Sequence, residues 1–177
     1  MIISKQSKIL SENNWHRVFL GLGSNVGNSV EVINQAISNF RDSEIIDLLN
    51  ISAFYLTEPW GIRAQNWFYN LVTEGLTNCS PYELITLTKT IEHYLGRLAR
   101  PRWQERELDI DLLFYDNLIM HNSKIEIPHP QIENSRIVLV PMDEIAPDFV
   151  HPKLNLSIHQ ILLNCKDNSK VIRKDEI

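Results

Sequence analysis

The chain has few cysteines and no long apolar run. Its two cysteines among 177 residues, Cys79 and Cys165, are far apart and match no metal-binding spacing. A disulfide framework is therefore excluded, and two reduced thiols are expected. The opening stretch MIISKQSKILSENNWHR lacks the apolar segment of a signal peptide or of a membrane span. These features predict a soluble cytoplasmic protein.

An excess of positive charge is also missing. The net charge is −5, which disfavours general binding to nucleic acid or to a membrane surface and leaves small molecules as the expected partners. Apolar residues make up 44% and charged residues 22%, as in ordinary globular proteins. We expect one domain at 16–165, with a polar N-terminal extension at 1–15 and a polar C-terminal tail at 166–177. A monomer is the favoured form.

Six secondary-structure elements are predicted in the order strand, helix, strand, strand, helix, strand. Asn28 with Glu31, and Ser80 with Pro81 and Glu83, are typical helix starts, and each start precedes an apolar stripe of helical period. The strand segments are VFLGL, SEIIDLLNISAFYLT, WFYNLVTEGL and RELDIDLLFY. This order is the ferredoxin-like βαββαβ pattern of α+β proteins. It predicts an antiparallel sheet with both helices on one face and the active site on the other.

The chain beyond residue 116 is rich in proline, which argues against long helices. We expect short strands, loops and one short helix near Ser157 to Leu163 in this part.

The segment RELDIDLLFY places two acids in an otherwise apolar strand. Since side chains alternate along a strand, Leu108, Ile110, Leu112 and Phe114 should face the helices. Asp109 and Asp111 should then project side by side from the opposite face. Two adjacent carboxylates repel each other unless a cation joins them, and Mg²⁺ takes one or two protein carboxylates. The pattern therefore predicts a magnesium site, although acids so spaced also occur on ordinary solvated strand faces.

A basic loop precedes these acids and favours the metal interpretation. Arginine side chains bind phosphate oxygens in a bidentate manner, and the loop carries four of them: Arg97, Arg100, Arg102 and Arg106. A carboxylate pair beside an arginine loop is typical of phosphoryl transfer. The segment GLGSNVGN lacks the lysine and the spacing of a P-loop, which excludes that class of enzyme.

Other polar or aromatic positions are weaker candidates. Asn70 lies in the strand segment FYNLV beside Phe68, and His129 lies between two prolines. Glu92 lies near the end of the second helix, off its apolar stripe. Each has an ordinary structural interpretation as well as a functional one.

Together these segments resemble a known family. FLGLGSNVGN, FYLTEPWG, QNWFYNLV, IEHYLGR, RWQERELDIDLLFYD and IPHP…VLVPMDEIAP occur in the order typical of 6-hydroxymethyl-7,8-dihydropterin pyrophosphokinases of folate biosynthesis. The resemblance covers about residues 17–165. It implies a ferredoxin-like fold, two Mg²⁺ ions, ATP as co-substrate, and transfer of the β,γ-diphosphate of ATP to the pterin with release of AMP.

The resemblance also implies roles for individual residues. Asp109 and Asp111 should hold both metal ions, and they should form the catalytic set with Arg97 and Arg106. ATP should be bound by Glu92, Arg97, Arg100, Arg102, Arg106, Leu112, His129 and Arg136. The pterin should be bound by Thr57, Pro59, Trp60, Phe68, Asn70 and Ile137.

Two positions depart from the family pattern in the segment ENSRIVLVP. Counting back from Pro141, Ser135 stands where the family often has arginine, and Ile137 where it often has an aromatic residue. We expect Ile137 to cover one face of the pterin without offering an aromatic ring. If the segment is extended, Arg136 would have to turn inward to replace the missing charge.

Two other functions fit parts of the pattern. A Mg²⁺-dependent nucleotidyl or glycosyl transferase can carry Asp-x-Asp, but it needs a larger nucleotide-binding domain. A non-catalytic ferredoxin-like binding module would explain the fold but not the arginine loop beside the acids.

Overall fold

The fold is an α+β arrangement around one large antiparallel sheet. The computed structural model describes residues 15–59, 64–101 and 104–175. Its strands are β1 (His16–Ser24), β2 (Ile46–Ile51), β3 (Phe54–Thr57), β4 (Phe68–Thr77), β5 (Asp109–Tyr115), β6 (Met120–His121), β7 (Glu126–Ile127) and β8 (Val171–Lys174). Its α-helices are α1 (Ser29–Asp42), α2 (Pro81–Tyr94), α3 (Arg136–Ile145) and α4 (Ile158–Asn164), with a 3₁₀ turn at Ile132–Asn134.

The main sheet has six strands in the order β5-β1-β4-β3-β8, and β2 also pairs with β4. All these pairings are antiparallel, as the sequence predicted. The single strand expected up to Thr57 is divided into β2 and β3 at Ser52. The hydroxyl of Ser52 accepts a hydrogen bond from the backbone N–H of Val72 at 3.0 Å and so replaces a ladder contact.

The two predicted helix starts are confirmed. Asn28 accepts the backbone N–H of Glu31 at the start of α1, and Ser80 and Glu83 form a reciprocal capping box at the start of α2. Gly96 follows α2 with a φ of 91°, a conformation that costs glycine little.

Both faces of the sheet carry helices, which corrects the expectation of a face free of helices. On one face, α1 and α2 pack on Leu20 and Ile110. On the other face, α3 and α4 pack on Phe19 and Val72 and cover part of the sheet. The rest of this second face is open and holds the cavity described below.

The helix α3 contradicts the expectation of an irregular chain around ENSRIVLVP. Pro141 lies inside it and removes one N–H from the helix ladder. Leu139 and Met142 are fully buried from the same helix, and burying two such side chains contributes about 3–6 kcal/mol. Tertiary packing therefore outweighs the proline.

A bulge in β5 changes the predicted alternation of its side chains. Leu20 pairs with Leu112 and Phe19 pairs with Phe114, so Leu113 is one extra residue. Leu112 faces α1 and α2 as expected, but Phe114 packs on the opposite face with Phe19 and Leu113. The prediction for Phe114 was therefore wrong, because strict alternation ends at the bulge.

The C-terminal part contains more structure than the sequence suggested. The short helix predicted near Ser157 is confirmed as α4, with Ser157 and Gln160 in a capping box. The segment expected to be a polar tail contains β8, which extends the sheet beside β3. Within the described residues, no helix has the length and apolar character needed to cross a membrane.

Candidate active site

A cavity of about 400 Å³ lies on the open part of the second face of the sheet. Its floor is β1, where Gly21 and Gly23 lie between β4 and β5. Gly23 pairs with Asn70 on one side and with Asp109 on the other, while Gly21 pairs with Asp111. The glycines leave room above the sheet that side chains would otherwise fill.

The side chain of Asn70 lies very close to the backbone of Gly23. A Cβ atom on this residue would lie 2.4 Å from Oδ1 of Asn70, closer than real contacts allow. The side chain of Asn70 thus lies over the bare backbone of Gly23, and its Nδ2 donates to Oγ1 of Thr57 at 2.7 Å. These contacts hold the amide of Asn70 in one orientation at the cavity.

Asp109 and Asp111 project from β5 into the cavity. As neighbours on one face of a strand, they are about 7 Å apart at Cα. Burial raises the pKa of Asp111 to about 7, and repulsion from Asp109 acts in the same direction. Burial and the neighbouring charge thus oppose ionisation of Asp111, and a divalent ion would remove this conflict.

Among the described residues, no cluster of three or more histidine, cysteine or acidic side chains could hold a metal ion. Asp109 and Asp111 alone still fit Mg²⁺, which uses one or two protein carboxylates and takes its other ligands from water and phosphate.

A network of charges joins α2 to the acidic strand. Nη1 of Arg97 lies 2.7 Å from Oδ1 of Asp109 and also contacts Oε2 of Glu92. Both contacts are charge pairs that lack hydrogen-bond alignment within the described structure. Burial opposes the charge on Arg97, but Asp109 and Glu92 more than compensate, and the pKa of this guanidinium is raised.

Glu92 is the centre of this network. Its side chain is 2% exposed, and Oε1 accepts hydrogen bonds from Nζ of Lys89 and from the backbone N–H of Ile110, both at 2.7 Å. Glu92 was predicted to contact ATP; it is not among the residues that line the cavity, and its side chain contacts Arg97, Lys89 and the backbone of Ile110 in β5.

The arginines of the basic loop have different surroundings. Arg106 lines the cavity and donates to the backbone oxygen of Pro101 at 2.9 Å. Arg100 does not line the cavity, because its guanidinium makes a two-pronged contact with Glu107 at 2.5 and 2.6 Å. Arg102 lies outside the described residues.

Of the remaining residues predicted to contact the nucleotide, one lines the cavity and two do not. His129 lines the cavity, and its backbone N–H donates to the oxygen of Leu113 at 3.0 Å. Leu112 is buried on the side of α1 and α2, so its side chain does not reach the cavity. Arg136 is the first residue of α3 and is not part of the cavity wall formed by Ser135 and Ile137.

The predicted pterin contacts lie mainly at the other end of the cavity. Phe68 and Asn70 line it from β4, and Ile137 lines it from α3. Thr57 is fully buried behind Asn70, and Pro59 is half-buried outside the wall. Trp60 lies outside the described residues.

Several wall residues were missed in the sequence. Lys89 lies three residues before Glu92, so both side chains project from the same face of α2. Glu58 lies between Thr57 and Pro59, two residues that were selected. Glu58 and Lys89 could have been found by applying helix spacing and loop adjacency to residues already chosen. Gln131 lies two residues after His129 and could have been found by the same adjacency.

Comparison with known proteins identifies the family. Residues 19–147 match the family model described as 7,8-dihydro-6-hydroxymethylpterin-pyrophosphokinase (HPPK). That match covers more than half of the chain, and the chain belongs to this family.

Curated relatives agree with the match. A 2-amino-4-hydroxy-6-hydroxymethyldihydropteridine pyrophosphokinase of Aquifex aeolicus is 36% identical over 135 residues, which is 76% of this chain and 83% of the relative. The enzyme of the same name in Haemophilus influenzae is 37% identical over 134 residues, 76% of this chain and 84% of the relative.

Solved structures agree in fold. A crystal structure of Plasmodium falciparum HPPK-DHPS matches with a TM-score of 0.70 over 86% of this chain at 15% identity. A second, the wild-type protein with pteroate, matches with a TM-score of 0.69. The chain spans 46% and 43% of these two structures, so the likeness concerns the fold of the part they share.

Proposed function

We propose that this chain transfers diphosphate from ATP to the hydroxymethyl group of 6-hydroxymethyl-7,8-dihydropterin and releases AMP, as a step of folate biosynthesis. Family membership supports this reaction. The observation that carries the proposal is one cavity in which Asp109, Asp111, Arg97 and Arg106 stand across two glycines of β1 from Phe68 and Asn70. One half suits a polyphosphate and the other a flat, hydrogen-bonding ring.

We assign the core to the ferredoxin-like arrangement. The order β5-β1-β4 with β2 and β3 beside β4, all antiparallel, is the order that a βαββαβ unit produces. The pairing of α1 and α2 on one face supports this assignment.

Charged residues line the half of the cavity that we propose binds ATP. Asp109 and Asp111 would hold two Mg²⁺ ions, and Arg97 and Arg106 would contact the triphosphate. The metal ions would neutralise charge on the phosphate oxygens and orient them. His129 lies at this cavity, and we propose it as an ATP contact.

The other proposed nucleotide residues act less directly. Glu92 holds Arg97 in place. Leu112 can contact ATP only through its backbone. Arg100, Arg102 and Arg136 would have to change position or lie on the outer side of the bound nucleotide.

In the pterin half, we propose that the ring lies between Phe68 and Ile137. Asn70 would read its polar edge, and Thr57 would fix the orientation of that amide. Pro59 and Trp60 belong to the loop that would close this side of the pocket.

The reaction forms one bond and breaks one. The hydroxymethyl oxygen attacks the β-phosphorus of ATP, the bond from this phosphorus to the α,β-bridging oxygen breaks, and AMP leaves. The hydroxyl proton is released to solvent. Arg97 and Arg106 would stabilise the charge that moves to the bridging and non-bridging oxygens. The walls of the cavity would hold the hydroxyl in line and exclude water.

Product analysis tests this proposal. Incubation of the protein with ATP, Mg²⁺ and the pterin should yield AMP and a diphosphorylated pterin in equal amounts by mass spectrometry. Formation of ADP, or pterin binding without AMP, would refute it and favour another transferase or a binding module.

The acidic pair provides the matching variant test. Asp109→Ala or Asp111→Ala should lower kcat by about 10²–10³-fold, the typical effect of removing one element of a charge clamp. Asp47→Ala, an exposed acid on β2, is the control and should retain full turnover.

We also propose that the protein works as a cytoplasmic monomer with small-molecule partners only. The net charge of −5 supports the absence of a polyanionic partner. Light scattering of the purified protein gives its mass and tests the monomer.

A further inference from the structure

The C-terminal segment 166–175 contacts two separate walls of the cavity. Its strand β8 pairs with β3 from Phe54 to Thr57. The pairing continues one residue further, where the backbone N–H of Glu58 donates to the oxygen of Lys170 at 3.2 Å. The N–H of Lys170 donates in return to Oε2 of Glu58 at 3.1 Å. Since Glu58 lines the cavity, β8 fixes one of its walls.

The second wall is the first turn of α3. Its cap residue, Ser135, makes no side-chain capping hydrogen bond. Instead, Oδ2 of Asp167 accepts the backbone N–H of Arg136 at 2.9 Å. Oδ1 of Asp167 is held by the N–H of Ser169 at 2.9 Å and by its hydroxyl at 2.6 Å. A carboxylate from the C-terminal segment thus satisfies a free donor at the helix start, where a negative charge is also favourable.

The far end of α3 is tied to the same segment. Nη2 of Arg173 in β8 lies 3.2 Å from Oε1 of Glu144. The other oxygen of Glu144 accepts hydrogen bonds from Ala53 at 2.9 Å and from Tyr55 at 3.0 Å. The helix that carries Ile137 is therefore fastened to Asp167 at its start and to β3 and β8 near its end.

We propose that Asp167, with the Glu58–Lys170 pairing, is a positioning residue that sets the affinity for the pterin. The inference rests on the proposed function, in which the pterin lies against Ile137. Asp167 is outside the cavity wall, so it acts through α3 and not on the substrate. The contacts of Asp167, Lys170 and Arg173 described above end on β3, Glu58 or α3. Arg97 and Arg106 belong to the basic loop, and Asp109 and Asp111 belong to β5. Of the proposed ATP contacts, only Arg136 is on α3, and it is not part of the cavity wall. Loss of Asp167 should therefore affect the pterin selectively.

Asp167→Ala tests this selectivity. The Kd for the pterin, titrated in the presence of Mg²⁺ and a saturating non-hydrolysable ATP analogue, should rise about three- to tenfold, as expected for one lost hydrogen bond at a binding wall. The Kd for the ATP analogue alone and kcat at saturation of both substrates should stay within about twofold. Asn168→Ala is the matched control, because Asn168 is an exposed neighbour of Asp167 in the same segment. It should change none of the three values.

Ser169→Ala provides a second measurement that keeps the carboxylate. It removes one of the two donors that hold Oδ1 of Asp167 and should raise the pterin Kd in the same direction by a smaller factor. If Asp167→Ala does not fold, Ser169→Ala decides, and an unchanged pterin Kd in that variant overturns the proposal.

Ile137→Ala separates failure of the inference from failure of the proposed site. If Ile137→Ala weakens pterin binding and Asp167→Ala does not, the positioning role is wrong and the site stands. If both variants bind pterin as the wild type does, the placement of the pterin is wrong, and the inference falls with it. An equal loss of ATP-analogue and pterin affinity in Asp167→Ala would show a general structural effect and also overturn the proposal.

Discussion

Glu92 does not line the cavity, but it contacts Arg97 and Lys89, which do. It is almost fully buried, and it contacts Arg97, Lys89 and the backbone of Ile110 at once. Two cations thus share one carboxylate, and one of them also faces Asp109. We therefore expect the position of Arg97 at the cavity to depend on the charge of Glu92.

Replacing this charge should affect both stability and turnover. Glu92→Gln can keep one acceptor for Ile110 but removes the counter-charge of Lys89 and one of the two counter-charges of Arg97, which keeps Asp109. Because Lys89 is half-exposed and Arg97 keeps Asp109, the cost in folding free energy should stay below the about 3–5 kcal/mol of a fully buried pair. We expect a variant that is less stable in urea and has a kcat lowered at least tenfold at saturating ATP.

The matched control is Glu83→Gln, because Glu83 lies on the same helix but caps its exposed start. A Glu92→Gln protein with wild-type kcat would show that Arg97 does not depend on Glu92.

Ile137 is the residue at which the proposed pterin pocket lacks a second aromatic face. It faces the cavity from α3, and Phe68 faces it from β4. A second aromatic face would add about 0.5–1.5 kcal/mol of stacking. Ile137→Phe should therefore lower the pterin Kd about two- to tenfold, measured with a non-hydrolysable ATP analogue present. Ile137→Leu keeps an aliphatic face as control, and equal or weaker binding by the phenylalanine variant would contradict the stacking argument.

At the scale of elements, the basic loop is fastened at its base by Arg100 and Glu107. Their hydrogen bonds lower the pKa of Glu107 from 4.5 to about 2. The unfolded chain therefore binds a proton more readily than the folded one between these values. The pair stabilises the folded state fully above about pH 5, and this contribution is lost as the pH falls towards 2.

Glu107→Gln should remove this pH dependence. We expect the variant to be less stable than the wild type at pH 7, with the difference shrinking between pH 4.5 and 2. Urea unfolding at a series of pH values measures it, and Glu105→Gln, an exposed acid two residues earlier, is the control. A difference that is constant down to pH 2 would show that the pair does not stabilise the fold through its charge.

At the scale of the whole molecule, the two apolar cores share one sheet. β1 gives Leu20 to the core of α1 and α2, and Phe19 to the core of α3 and α4. If one core unfolds, the shared sheet is disrupted and the apolar side chains of the other core are exposed to water. The molecule should therefore unfold in a single transition.

Variants in each core test this coupling. Phe40→Ala and Leu139→Ala, one in each core, should each lower the free energy of unfolding by about 3–5 kcal/mol and shift the same transition. Far-UV circular dichroism and tryptophan fluorescence should give coincident curves. Two separated transitions in either variant would show that the cores unfold independently.

Local sequence patterns predicted those features of the fold that depend on residues close together in the chain. Asn28, Ser80 and Ser157 each begin a helix through contacts within one turn, and those starts are observed. The helix around Pro141 depends instead on burial of Leu139 and Met142 against a distant face of the sheet. No local rule of helix formation could have recovered it.

The same limit holds for the site. Asp109 and Asp111 were placed correctly by strand alternation, since they precede the bulge. Phe114 lies beyond the bulge and was placed on the wrong face. The capping of α3 by Asp167 joins positions that are far apart in the chain, and nothing near either residue indicates it.

The tight contact between Gly23 and Asn70 also constrains how this pocket can evolve. An alanine at position 23 would have to push the amide of Asn70 away, because its oxygen occupies the space of the missing Cβ atom. A smaller residue at position 70 would therefore make a side chain at position 23 easier to accept. Comparing pterin affinity in Gly23→Ala, in Asn70→Ala and in the double variant would show this as non-additivity. A change of ring specificity that begins at the asparagine would thus also open the glycine to substitution.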